Sequence, residues 1–145
     1  MDSKTTVTVL VLALLLFIGS RPHTTTSLSN VTESDIALLA QLIDSEAGGE
    51  PYEGMVAVGA VVVNRVLDER FPNTIRSVIF EPGQFYIDTN RRPNANSRRA
   101  AEAAVRGEDP TRGALFFYNP RTAVLDPWWN SRQMLTQIGN HVFLR

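Results

Sequence analysis

The stretch Asp44-Ser45-Glu46-Ala47-Gly48-Gly49-Glu50-Pro51-Tyr52-Glu53-Gly54 separates two apolar patterns and decides how the chain folds. Upstream of it, Ile36, Leu38, Leu39, Leu42 and Ile43 recur at helical spacing. They follow Thr32-Glu33-Ser34-Asp35, the small polar and acidic residues that open a helix. That helix is expected to stop near Gly48-Gly49, because glycine favours helix C-termini and Pro51 cannot continue one. Downstream, Pro51-Tyr52-Glu53-Gly54 begins a second helix. Met55, Val56, Val58, Val61, Val62 and Val66 make it apolar nearly all round, so it is expected to be central and buried. Ala57, Gly59 and Ala60 are small enough to let a neighbouring helix come close.

Further along, Phe71-Pro72-Asn73-Thr74 is a turn and Thr74 to Phe80 suggests a short helix. Gln84-Phe85-Tyr86-Ile87 is a short strand or an extended segment, and 89–96 is an irregular polar loop. Asn96 or Ser97 is expected to cap a helix through Ala100, Ala101, Ala103, Ala104 and Val105 that stops at Gly107. Ala114 to Tyr118 has strand character, Asp126-Pro127 a turn, and Gly139-Asn140 the turn of a hairpin between Met134–Ile138 and His141–Leu144. The expected fold is α+β: helices first, a short antiparallel sheet late, in one domain over 33–145.

At the N-terminus, a charged start is followed by the apolar run Val7 to Ile18 and then by Gly19-Ser20. This is the pattern of a secretory signal peptide, or of a short membrane anchor, over 1–20. The run is shorter than the roughly 20 residues that span a bilayer comfortably. Residues 21–32, rich in Thr and Ser, suit a linker, and His23 within it has no assigned role. A secreted or cell-envelope location is therefore expected, with membrane contact only through the N-terminal segment.

Composition narrows the chemistry. The 145 residues carry 14 Lys and Arg against 15 Asp and Glu, a net charge of −1, which argues against a nucleic-acid binder. Lys4 is the single lysine, so the other cations are arginines; an arginine-lined groove for an acidic polymer and simple composition bias are both open readings. There is no cysteine and, beyond His23, one histidine, His141. Cysteine nucleophiles and thiolate zinc sites are excluded, and a histidine-ligated zinc hydrolase lacks imidazoles, so no metal site and no cofactor are expected. No G-x-S-x-G elbow, P-loop or dinucleotide fingerprint occurs. Carboxylate chemistry remains.

The best-placed carboxylate is Glu46, at the end of an apolar helix beside two glycines. The negative end of the helix dipole and apolar neighbours both disfavour its charged form, as a general acid for glycosidic cleavage requires. By spacing alone, Glu46, Glu50 and Glu53 are equally readable as solvated residues of a turn. Gln84-Phe85, Tyr118-Asn119 and Asn140-His141 place amides or a hydroxyl beside aromatic rings, as a sugar site does; His141 is equally readable as a buried structural histidine. Phe116 and Phe117 are expected in the core, and Trp128-Trp129 is either a sugar platform or a lid.

Four stretches together resemble the SleB/CwlJ-type cell wall hydrolases, which include spore-cortex-lytic enzymes. They are Glu46 to Gly54 running into Val56 to Val66; Pro82-Gly83-Gln84-Phe85; Gly113 to Pro120; and Ile138-Gly139-Asn140-His141-Val142-Phe143. They stand in the family's order and span about Ser34 to Phe143. The resemblance implies a lysozyme-like or lytic-transglycosylase-like helical part, peptidoglycan as the substrate and partner, and Glu46 as the catalytic glutamate; a monomer is expected. Glu50, Gln84, Phe85, Tyr118, Asn119, Asn140 and His141 are the expected substrate-binding residues. Cleavage between N-acetylmuramic acid and N-acetylglucosamine by a single glutamate is the favoured reaction. A hydrolytic course would need a second carboxylate from Glu50, Glu53 or Asp88. An N-acetylmuramoyl-L-alanine amidase and a non-catalytic wall-binding module are the alternatives. Gly48 stands where many members carry Arg, and Leu144-Arg145 where a Tyr is common.

Overall fold

The computed structural model describes residues 28–124 and 126–145. The apolar run, most of the Thr/Ser segment and His23 lie outside the described residues. Helix α1 (Glu33–Ala47) starts at Thr32, whose side chain accepts the Asp35 amide while Asp35 accepts the Thr32 amide in return. This reciprocal cap satisfies two otherwise orphaned donors. The 3-10 turn Leu28–Asn30 precedes it, with Leu28 and Val31 packed against the core. Helix α1 ends where glycines begin, but Gly48 keeps right-handed helical angles (φ −60°, ψ −24°) rather than the left-handed C-cap its identity suggested.

Helix α2 (Tyr52–Leu67) is the centre of the molecule, buried from Gly54 to Val63 without a break. It is flanked by α1 and by α4 (Ala95–Val105), while α3 (Ile75–Ile79) closes one end. Close approach of α2 and α4 depends on Gly59: a Cβ there would lie 2.9 Å from the Ala104 Cβ and 3.0 Å from Ile43 Cδ1. The small residues therefore do what the sequence implied. Helix α4 begins two residues earlier than expected, because the Asn94 side chain accepts the Ser97 amide. Ser97 itself is turned inward to Asp44.

The sheet is antiparallel in the order β1-β3-β2, from β1 (Phe116–Tyr118), β2 (Met134–Ile138) and β3 (His141–Leu144). Phe117 faces Phe143 across β1 and β3, and Ile138 faces His141 across the hairpin. Gly139 turns the hairpin at φ +57°, where an added Cβ would collide with the Glu50 carboxylate. Gln133 and Arg145 exchange backbone hydrogen bonds at the far end, which closes the edge beyond Leu144. Asp126-Pro127 opens a short helix, α5 (Pro127–Asn130), rather than a simple turn: the Asp126 carboxylate caps the Trp128 amide and proline fits the first helical position. Gln84 closes a turn, its amide donating to the Glu81 carbonyl, and 85–87 follow without regular structure and in no strand.

Candidate active site

The end of α1, the 83–86 segment, β1, the 119–129 connection and β3 enclose a cleft of about 520 Å³. Glu46 lies in its wall, and it is the only carboxylate among the described residues that line it. Glu46 is half-buried, and its Oε1 accepts one hydrogen bond, from the Tyr86 amide at 2.6 Å. Burial lifts the Glu46 carboxyl above its usual range, and the Tyr86 bond offsets this only in part.

Gln84, Phe85, Tyr118, Asn119 and His141 line the same cleft, so five of the seven residues expected to bind substrate gather around Glu46. Glu50 and Asn140 do not line it. The Glu50 carboxylate accepts both the backbone and the side-chain amide of Asn140, each at 3.0 Å. The two residues are engaged with each other and clamp the α1–α2 turn to the β2–β3 hairpin. Glu53 and Asp88, named as further carboxylates, also lie outside the cleft lining.

His141 is 6% exposed, its ring held edge-on against Phe117 at 5.1 Å. Its Nδ1 is buried without a hydrogen-bond partner and lies 3.9 Å from Glu50 Oε1. Burial lowers its pKa, opposed by the Glu50 charge, so the ring is neutral near pH 7. Phe117 packs against the core as expected, 5.9 Å from Phe143, and lines the cleft as well. Phe116 corrects the expectation: it is half-buried and forms cleft wall beside Arg65 and Trp128. Trp128 and Trp129 complete the aromatic wall, Trp128 edge-on to Phe116 at 5.1 Å and Trp129 beside Tyr118 at 5.0 Å. Arg132 lies over the Trp128 ring at 4.3 Å.

Arg65 is the residue the motifs did not single out. It lines the cleft from α2 yet is 3% exposed. Its Nε donates to the Leu115 carbonyl at 2.7 Å and its Nη1 to Gln84 Oε1 at 3.1 Å. Phe71, Phe85 and Phe116 surround the guanidinium at 5.0, 4.8 and 5.3 Å. Burial pushes its pKa down to about 10, with the Glu81 charge acting the other way. An arginine in the last turns of a helix apolar nearly all round was the available signal, since a buried charge needs partners.

The molecule is thus an α+β domain with a desolvated glutamate in an aromatic-walled cleft. The chain belongs to the cell wall hydrolase family, whose model matches residues 49–144, a span that begins just after Glu46. It is similar to the catalytic domain of the SleB protein of Bacillus cereus, with 39% identity, a TM-score of 0.77, and coverage of 88% of this chain and 99% of that one. The catalytic domain of the germination-specific lytic transglycosylase SleB from Bacillus anthracis matches with a TM-score of 0.73, at 39% identity over 81% of this chain and 98% of that one. The spore cortex-lytic enzyme of Bacillus subtilis is 43% identical over 120 residues, which is 77% of this chain and 38% of that enzyme. The chain thus spans well under half of that enzyme. The cell wall hydrolase CwlJ of Bacillus subtilis is 30% identical over 77% of this chain and 85% of its own length.

Proposed function

We propose that this domain cleaves the glycan strand of peptidoglycan between N-acetylmuramic acid and N-acetylglucosamine as a lytic transglycosylase. The observation that carries the reading is the solitary, burial-raised carboxyl of Glu46 in the cleft. Protonated Glu46 gives its proton to the glycosidic oxygen, and the C1–O bond breaks. The muramic acid 6-hydroxyl closes on C1, and its proton passes to the Glu46 carboxylate. The product is a 1,6-anhydro sugar, and Glu46 ends protonated as it began. No second carboxylate is needed, whereas hydrolysis uses a pair about 5–9.5 Å apart. The aromatic wall suits sugar faces, and Gln84 and Asn119 suit sugar hydroxyls and acetamido groups. The name of the Bacillus anthracis neighbour points the same way. Among the described residues no three His, Cys, Asp or Glu side chains gather as a metal-holding group. The substrate lies outside the cytoplasmic membrane, in keeping with the export expected from the apolar run, and the domain acts as a monomer.

The test is mass spectrometry of fragments released from purified peptidoglycan by the full chain and by Glu46→Gln. Anhydro-muropeptides that disappear with Glu46→Gln support the reading. Fragments 18 Da heavier with reducing ends replace it with hydrolysis, free stem peptides with an amidase, and no fragments from the unaltered chain with a binding module.

A further inference from the structure

Glu46 takes its one hydrogen bond from a segment with no regular structure, residues 83–86, and something must hold that segment still. On one side the Asp88 amide donates to Ser45 Oγ at 3.1 Å, and Ser45 in turn donates to the Gln41 carbonyl, which ties the segment to α1. On the other side the fixing comes from Arg65. Its Nη1 holds Gln84, its guanidinium faces the Phe85 ring, and the next residue in the chain is Tyr86. Phe85 is further braced by Phe117, 6.2 Å away. Arg65 is itself held in place, buried on α2 with its Nε bonded to the Leu115 carbonyl. Its hydrogen bonds go to a carbonyl and an amide, not to a carboxylate, and no ion pair is formed at Arg65 among the described residues.

We infer that Arg65 is a positioning residue for the reaction: through Gln84 and Phe85 it holds the Tyr86 amide against Glu46 and so sets the acid's ionisation. A planar, always-charged fork is suited to this, since it bridges β1 to the 83–86 segment while stacking on rings. The inference rests on the acid role proposed for Glu46. The other titratable or charged groups that share the cleft with Glu46 are Arg65 of α2, Tyr118 of β1 and His141 of β3; Glu81 acts on Arg65, and Glu50 lies beside His141. Asp44, on the same helix, is committed to Arg91, and the Asp88 amide to Ser45. None of these donates a hydrogen bond to Glu46. The Tyr86 amide does, and a donor to a carboxylate favours its charged form. Loosening the segment therefore raises the pH at which Glu46 loses its proton.

The experiment is a carbon-13 NMR titration of the full chain with labelled glutamate, the Glu46 signal being the one lost in Glu46→Gln. It is run on the unaltered chain, on Gln84→Leu, and on Arg65→Lys, which keeps the charge but loses the fork. Gln84 is exposed, so Gln84→Leu remains informative if Arg65→Lys fails to fold. The expected result is a Glu46 midpoint moved upward in Gln84→Leu by about half a pH unit, about threefold in its ionisation constant. Any folded Arg65→Lys moves it the same way, and the fall in glycan cleavage at rising pH moves up with it. An unmoved midpoint in folded Gln84→Leu, with activity lowered equally at every pH, overturns the inference. The titration needs no substrate, so it stands or falls separately from the acid role, which Glu46→Gln decides in the fragment assay.

Discussion

Asp44 and Glu46 sit two residues apart at the end of one helix, and the protein treats them in opposite ways. Asp44 is 4% exposed and looks toward α4. Burial raises its pKa, but the Asn94 amide, the Ser97 hydroxyl and the Arg91 guanidinium all donate to it and carry it below its usual value. Glu46 looks toward the cleft and receives a single amide, so there burial prevails. The count of donors, not depth, decides which carboxylate is a structural anion and which a reserve of protons. Gly48 leaves room for this arrangement: an added Cβ would lie 2.5 Å from the Asp44 carbonyl oxygen and 3.5 Å from Arg91 Nη2.

The largest effect that would break this contrast is on activity. Glu46→Gln preserves shape but has no proton to give, and glycan cleavage is expected to fall by about 10²- to 10⁴-fold, read as released muropeptide. Asp44→Ala is expected to act on stability instead. It leaves the Ser97 hydroxyl, itself fully buried, and the Asn94 amide without their acceptor, at a cost of about 1–3 kcal/mol. A lowered midpoint in urea unfolding, with the Glu46 titration unmoved, checks it. If Asp44→Ala abolished cleavage in fully folded protein, the division of labour would be wrong.

Glu50→Ala sharpens the contrast from the far side of the cleft. Glu50 was expected at the substrate and is found clamping the hairpin through Asn140. Both bonds are at the surface end, so their loss is expected to cost about 0.5–1.5 kcal/mol. Cleavage should persist at temperatures below unfolding. Loss of cleavage in folded Glu50→Ala would return Glu50 to the reaction, as second carboxylate or through His141.

What the sequence made legible was local or periodic. The capping residues Thr32 to Asp35, the apolar phase of α1 and α2, the Gly139-Asn140 hairpin and the small face at Gly59 each declare themselves within a few residues. The place of Glu46 at the end of α1 was legible too, and the structure puts it in the cleft. What stayed hidden depends on contacts between residues far apart in the chain. Asp44 drew no reading from the sequence, because its partners Ser97 and Arg91 stand some fifty positions away. Arg65 was masked by the apolar helix around it, and the Tyr86 contribution is a backbone amide, which no side-chain pattern encodes. Phe116, expected in the core, becomes cleft wall through Arg65 and Trp128, which its own strand does not encode.

The smallest effect tests the sign of both carboxylates at once, through the pH dependence of stability. Asp44 titrates lower in the folded chain than unfolded, so it stabilises above the unfolded value of 3.8, and that contribution is lost as pH falls through the folded value. Glu46 titrates higher in the folded chain than its unfolded 4.5, so its contribution is present below 4.5 and lost as pH rises through the folded value. Replacing Asp44 by Asn should therefore flatten the acid side of the stability curve, below about pH 4. Replacing Glu46 by Gln should lift the neutral side, because a desolvated charge with one donor is removed, and Glu46→Gln should unfold at a slightly higher temperature than the parent at pH 7 while the two converge near pH 4. A Glu46→Gln protein less stable at pH 7 than at pH 4, relative to the parent, would mean that the folded state favours ionised Glu46. The proton the mechanism needs would then have to come from elsewhere in the cleft.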